Sequence, residues 1–352
     1  MHREESGMKS GNSVMVRQIN REIIRDALKA RESANIAEIS RITGLSNATC
    51  SNILPELVES GEVVILKELQ SQGGRPARCY AYNPDHALIA AILLRHMDGK
   101  THIRHSVRNT IGATVAEGSE THAVFSLKHL DRLLDKIIAR HSPIRAVAVS
   151  VPGVTYKGTV EICDVAELVG VNLEAHIRSR HDCETVTEND MNFAAVGFQG
   201  RHPETAASGL AYMVLPGDRC PGCGIVLGGI LVKGYSNFAG ELSYLPFASG
   251  GCIPCGFSDR GGAIRLAAQL SSAVIAVVNP GSIIITGSLL DEGMCDEIRE
   301  GCLRCIPEQH LPRIIVKSDY EEDCFNGMIT MSLNCLSYNI QLIERKRSWC
   351  GD

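Results

Sequence analysis

Apolar residues recur at helical spacing from early in the chain. Val16, Ile19, Ile23, Ile24, Ala27 and Leu28 form one stripe, which predicts a helix over 14–31. Ile36, Ile39 and Ile42, then Cys50, Ile53, Leu54 and Leu57, repeat the spacing in two shorter segments. Between them Gly44 permits a left-handed turn, Leu45 plugs the corner, and Ser46 is placed to cap the second helix with its hydroxyl. Strand-like segments over 62–68 and 77–82 flank Gln70-Ser-Gln-Gly-Gly-Arg-Pro76, a flexible basic tip. The pattern is that of a winged helix-turn-helix. Pro55 lies inside the second helix and predicts a bend or a stop there, since an unadjusted helix would lose about 3 kcal/mol.

The pattern changes after Asn83-Pro84-Asp85. Strands are predicted over 88–95, 101–108 and 113–117, with Asp98-Gly99 as a tight turn, and Leu127, Leu130, Leu134 and Ile137 mark a helix. The segment 144–151 is a short apolar strand of the fully buried kind, stopped by Pro152-Gly153. A hairpin strand over 159–162, helices over 173–180 and 191–199, and a strand over 185–188 complete this half. Strands over 210–215, 224–227 and 230–232 then open a second half, in which helices over 263–278, 294–305 and 326–336 alternate with strands over 283–286 and 314–317. Three strands followed by alternating helices and strands occur twice, which predicts an α/β body of two similar lobes with a cleft between them. The expected organisation is a disordered start over 1–13, a DNA-binding domain over 14–83, a first lobe over 84–200 and a second over 201–352.

Charge refines this picture. Met1 to Tyr82 holds 11 Lys and Arg against 10 Asp and Glu, leaving 24 against 30 for the remainder of the 352 residues. A near-neutral head binds phosphate weakly as a monomer, so operator affinity should require a homodimer or higher homo-oligomer, and the acidic remainder is not expected to touch DNA. Ser46, Asn47, Thr49, Ser51 and Asn52 lie on the leading, non-apolar part of the second helix, where they can approach base edges and phosphates of double-stranded DNA. Arg75 at the wing tip is the sixth candidate contact. Three-helix units of this kind also serve as dimerisation or protein-docking modules, which is the competing interpretation. The start carries no apolar run, and the apolar segment Ala273 to Leu290 is interrupted by Asn279-Pro280-Gly281, so a cytoplasmic location is expected.

The order of motifs resembles the ROK family (repressors, open reading frames and sugar kinases), in its xylose-repressor-like branch. The carriers are the helix-turn-helix with Gly74-Arg75-Pro76, Val149-Ser-Val-Pro-Gly153, Glu188-Asn-Asp-Met-Asn192, Gly224-Ile-Val-Leu-Gly228, Ala239-Gly-Glu241 and Asn279-Pro-Gly-Ser-Ile-Ile-Ile-Thr-Gly287. The resemblance implies an actin-like (ribonuclease H-like) sugar-kinase-type body, with Asp190 at the general-base position and Asn189 and Glu241 as further sugar-binding residues. On local grounds alone Asp190 could simply cap the helix that begins at Met191. Departures from the family weigh against phosphotransfer. Met97 stands where the first phosphate loop has an acid, and Pro221 removes a backbone donor from the second, so neither catalysis nor a cofactor is expected. Asp164 stands near the family's usual asparagine, and Leu168 where an aromatic residue is usual.

The family's structural zinc site also looks lost, because Tyr244 stands near its histidine and only Cys252 and Cys255 remain of its cysteine loop. Taken by themselves, Cys220-x-x-Cys223 and Cys252-x-x-Cys255 are two knuckle-like pairs that could hold zinc, while the rest of the 14 cysteines are expected to be reduced thiols. His96, His102 and His105 are expected at surface or satisfied core positions. The leading expectation is a transcriptional regulator, most simply a repressor, that binds an inverted-repeat operator and senses a sugar. The alternatives are a sugar kinase with an added DNA module, or a zinc- or thiol-responsive regulator on the same scaffold.

Overall fold

A computed structural model of the chain describes residues 4–66, 78–217, 219–246 and 257–336. The chain divides into two compact units, one reaching to Ala87 and one over Leu88–Leu336.

In the first unit, α1 (Glu4–Lys29) precedes β1 (Ala34–Asn35), α2 (Ile36–Thr43), α3 (Asn47–Glu59), β2 (Val63–Leu66) and β3 (Cys79–Tyr82). The strands form one antiparallel sheet in the order β1-β3-β2. Ile24, Leu28, Ile39, Cys50, Leu54 and Leu57 are wholly buried and hold the three helices on the sheet. Helix α1 begins at Glu4, inside the start expected to be disordered and ten residues before the apolar stripe predicts. Nor does Pro55 end α3, which continues to Glu59. The carbonyl deprived of its partner belongs to Ser51, an exposed residue, so solvent can replace the missing N–H.

The second unit contains two lobes. The first lobe's sheet comprises β4 (Leu88–Met97), β5 (Lys100–Asn109), β6 (Thr114–His122), β7 (Ile144–Val151) and β10 (Glu184–Asn189), with α4 (Leu127–Arg140) and α5 (Leu173–Arg180) on one face. A separate hairpin pairs β8 (Gly153–Tyr156) with β9 (Thr159–Cys163). Sheet order is β10-β7-β4-β5-β6, parallel among the first three strands and antiparallel beyond. Helix α6 (Asp190–Arg201) follows β10. The second lobe repeats that order as β15-β14-β11-β12-β13, using β11 (Leu210–Leu215), β12 (Gly222–Leu227), β13 (Ile230–Leu231), β14 (Ser282–Gly287) and β15 (Arg313–Lys317). Its helices are α7 (Thr205–Ser208), α8 (Arg260–Val278), α9 (Cys295–Leu303) and α10 (Glu321–Leu336). Every residue of Leu88–Leu94 is buried, as befits a central strand covered on both faces.

Helices α6 and α10 join the lobes in a shared core with residues of both sheets. Their backbones meet at two glycines. A Cβ on Gly197 would stand 1.8 Å from the Asp323 carbonyl oxygen, and one on Gly327 would stand 1.8 Å from that of Phe193. Asp323, fully buried at this crossing, accepts the Tyr212 hydroxyl at 2.8 Å and pairs with Arg201 and Lys317. A buried carboxylate needs such partners, and here they tie α10 to the second lobe.

Candidate functional site

In the first unit the turn between α2 and α3 is built by local hydrogen bonds. Asn35 and Glu38 form a capping box at the start of α2, and Gly44 ends that helix with φ of +72°. Ser40 donates its hydroxyl to the Leu45 carbonyl at 2.6 Å, which fixes the corner. Ser46 then accepts the Thr49 amide at 3.1 Å as the N-cap of α3. With Cys50, Ile53, Leu54 and Leu57 facing the core, Ser46, Asn47, Ser51 and Asn52 are left exposed and Thr49 half-buried. That is the amphipathic arrangement a recognition helix requires. Thr49 and Asn52 also share an open groove of about 320 Å³ with Val16, Arg17 and Asn20 of α1, residues that periodicity placed only on a covering helix. Arg75 lies outside the described residues.

Much of the positive charge on α1 is used internally. Arg17 and Arg21 pair with Glu56, while Arg21 and Arg25 reach Glu62 at 3.0 and 2.7 Å. Burial would raise the Glu62 carboxyl, but Arg25, the Ser60 hydroxyl and Arg21 together hold it below its ordinary value. Arg31, Arg41 and Arg78 are exposed.

In the second unit a cavity of about 170 Å³ opens between the lobes, at the carboxyl ends of their parallel strands. Asp190 and Asn189 reach it from the junction of β10 and α6, Asp164 from the end of β9, Arg219 and Cys220 from the β11–β12 loop, and Glu241 and Tyr244 from beyond β13. The helix cap is Asn189 rather than Asp190. Its side-chain oxygen accepts the Met191 amide at 2.8 Å, and its amide group donates to the Gly153 carbonyl at 2.9 Å. Asp190 accepts the Met191 amide at 3.0 Å through one oxygen and the Tyr320 hydroxyl at 3.2 Å through the other. Burial pushes its carboxyl up to about 6, with Arg219, Tyr320 and the Met191 amide opposing that rise. Glu241 is pushed up to about 7 by burial and by the neighbouring charges of Asp190 and Asp164. Asp164 and Arg219 meet across the cleft at 3.1 Å.

The structure thus brings Asn189, Asp190 and Glu241 to one cavity, together with Arg219, Tyr244 and Tyr320. Arg219 escaped notice because it lies in a loop whose approach to β9 depends on how the lobes meet. Tyr320 escaped because nothing local marks it.

An adjoining cavity of about 200 Å³ is lined by Arg95, Met97, Gly217, Arg219, Ser288 and Tyr320, among others. The segments resembling the two phosphate loops therefore do converge. The Gly217 N–H, however, donates to the Ser288 hydroxyl at 3.1 Å, and Arg95 pairs with Glu321.

Of the four cysteine candidates, Cys220 and Cys223 lie within the described residues. Cys220 is exposed at the cleft and disulfide-bonded. Cys223 is buried in the second lobe's core, its thiol pushed up to about 12 by burial and donating to the Gly224 carbonyl. A disulfide-bonded sulfur is not a thiolate, so in this structure Cys220 is not available as a metal ligand. Cys252 and Cys255 lie outside the described residues, and among the described residues no group of three or more His, Cys, Asp or Glu is placed to hold a metal.

Comparison with known proteins agrees with this geometry. Residues 94–262 match the ROK family. A candidate xylose repressor of Caldicellulosiruptor sp. (strain Rt8B.4) is 25% identical over 360 residues, covering 97% of this chain and 86% of the relative. Among solved structures, a ROK family transcriptional regulator described as a homolog of the E. coli MLC protein superposes with a TM-score of 0.65 at 16% identity, covering 90% of this chain and 99% of its own. The ROK hexokinase from Thermus thermophilus superposes with a TM-score of 0.57 at 14% identity, covering 71% of this chain and 99% of its own, so the body has the actin-like fold that repressors and sugar kinases share. The chain carries a ROK family domain.

Proposed function

We propose that the protein is a sugar-responsive transcriptional repressor, in which the winged helix-turn-helix binds an operator and the two-lobed body binds the effector. The observation that carries this is the pairing, in one chain, of a capped helix with an exposed polar face and a cleft lined by the carboxylates of Asp164, Asp190 and Glu241. The similarity to a candidate xylose repressor extends over both parts, which supports assigning both tasks to the chain. A dimer would present two recognition helices about one DNA turn apart, so the operator is an inverted repeat. Sugar changes DNA affinity by preferring one arrangement of the lobes over another, and release of DNA is the expected direction.

The test is fluorescence anisotropy with DNA from the protein's own promoter region at low salt, followed by titration with aldoses, xylose first. Binding that a sugar reverses is the expected result. Failure to bind that DNA, combined with turnover of ATP on a sugar, would overturn the proposal. The kinase alternative has one observation in its favour, a buried Asp190 whose carboxyl lies near 6 and could accept a hydroxyl proton at neutral pH. It demands sugar-dependent ATP consumption abolished by Asp190→Asn. Met97 and the engaged Gly217 N–H argue against such turnover.

A further inference from the structure

Beside the cleft lies an aromatic pair, Phe238 and Tyr244, of which Tyr244 lines the cavity. After β13 the chain is strapped to the first lobe at two points. Lys233 pairs with Glu188 at 2.5 Å, and the Asn237 side chain donates to the Thr155 carbonyl at 2.8 Å. Glu188 is itself buried and accepts the Asn189 amide and the Asn192 side chain, so one end of the strap lies next to Asn189 of the site. Gly240 follows with φ of +98°, packed so closely that a Cβ would stand 1.8 Å from the Cys223 carbonyl oxygen. That close approach directs Glu241 and Tyr244 to the cavity wall.

On this segment Phe238 meets Tyr244 edge to face, with ring centroids 4.9 Å apart and planes at 60°. Tyr244 remains 53% exposed and Phe238 38% exposed. Isolated apolar side chains on a surface are ordinary, but two aromatic rings in mutual contact on a strapped segment, one of them lining the cavity, form a preformed apolar platform. The cavity behind them, at about 170 Å³, falls well short of the roughly 300–1,000 Å³ of pockets for larger ligands. It holds little more than one sugar ring, so a longer ligand must extend past its wall, and Tyr244 is the half-exposed aromatic residue of that wall.

We propose that Phe238 and Tyr244 form a stacking platform for a second sugar ring, so that the effector is a disaccharide or longer glycoside. Its terminal ring occupies the cavity and its next ring lies on Tyr244. The inference rests on the sugar-responsive function proposed above. A pyranose ring has an apolar face of C–H groups with its hydroxyls around the edge, so it can cover the tyrosine without desolvating a hydroxyl. Charge favours a neutral ligand, because Asp164, Asp190 and Glu241 line the cavity with Arg219 as the cation among them.

Isothermal titration calorimetry on the full chain with xylose, glucose, xylobiose and cellobiose tests the proposal. The better disaccharide should bind roughly tenfold more tightly than its own monosaccharide, about 1.4 kcal/mol. Tyr244→Ala should bring that ratio close to one, and Tyr244→Phe, which keeps the ring, should preserve it. Equal affinity for the two ligand lengths in the unaltered protein overturns the platform while leaving sugar sensing intact. So does a ratio that Tyr244→Ala leaves unchanged, the result expected if the aromatic pair docks a protein instead. If none of the four sugars binds, the platform and the sugar-responsive function fall together.

Discussion

Tyr320 donates its hydroxyl to Asp190 at 3.2 Å, from a residue just before α10 to the first residue of α6. The two are 130 positions apart, and both line the cavity between the lobes. The carboxylate of the cleft and the helix pair that joins the lobes are therefore linked directly, so occupation of the one can bear on the packing of the other.

Asp190 predicts a pH dependence of known sign. Its carboxyl lies near 6 instead of the ordinary 3.8, chiefly through burial, with Arg219 and Tyr320 opposing, so the folded state holds the proton more tightly than the unfolded state. Stability is then greatest below the ordinary value and falls as pH rises through about 6. Asp190→Asn removes the ionisation. Urea melts should show the variant gaining on the unaltered protein by on the order of 2 kcal/mol between pH 4 and pH 8. A gap that does not change with pH would contradict this.

Glu62 predicts the opposite sign in the other unit. Burial works against its ionisation, but Arg25, Ser60 and Arg21 hold the carboxyl below 4.5, so it contributes stability above that value which is lost as pH falls further. Glu62→Gln should cost roughly 2 kcal/mol at pH 7, the scale of a charge-assisted hydrogen bond, and should flatten the acid limb of the melt. Denaturation of residues 1–87 within the full chain, followed by amide exchange at α1 and α3, would report it.

The helix crossing tolerates no side chain. Gly197→Ala or Gly327→Ala would place a Cβ within 1.8 Å of a carbonyl oxygen. Overpacking of this kind costs roughly 2 to 3 kcal/mol, because two helix backbones must move apart. Chemical denaturation should find both variants destabilised, whereas Gly200→Ala, whose Cβ would meet only the Thr330 hydroxyl at 3.9 Å, should be close to neutral.

The recognition helix separates a fold effect from a contact effect. Asn47→Ala and Asn52→Ala alter exposed side chains and should weaken operator binding by about 1 to 3 kcal/mol each with little change in melting. Ser46→Ala removes the cap on the Thr49 amide and should lower stability by about 1 kcal/mol as well. Arg75→Ala is expected to reduce the salt dependence of binding if the wing tip meets phosphate. Anisotropy titrations at two salt concentrations, paired with thermal melts, distinguish these outcomes.

The sequence by itself determined most of the elements and their order, but not β1, β8, α7 or the first turns of α1. The helical stripe ending at Leu28, the Gly44-Leu45-Ser46 corner, the buried run of β7 and the repeat of three strands with alternating helices all follow from local periodicity and backbone preference. Such signals act over a few residues, so they survive without a partner. The strings ending at Asp190 and Glu241 were legible for a similar reason, since each is a contiguous motif that can be matched in order. Only the tertiary structure decided what these residues face. Asp190 meets Tyr320, Asp164 meets Arg219, and Phe238 meets Tyr244 because two lobes and a strapped loop fold together, and no spacing along the chain records those approaches. The same holds for the cysteines. Cys220 and Cys223 look like a knuckle when their spacing is counted, but β12 carries one into the core and leaves the other at the cleft, and burial then keeps the inner thiol protonated. Local sequence sets conformation, while the dielectric, the charges and the neighbours that give a side chain its chemistry come from segments far away in the chain.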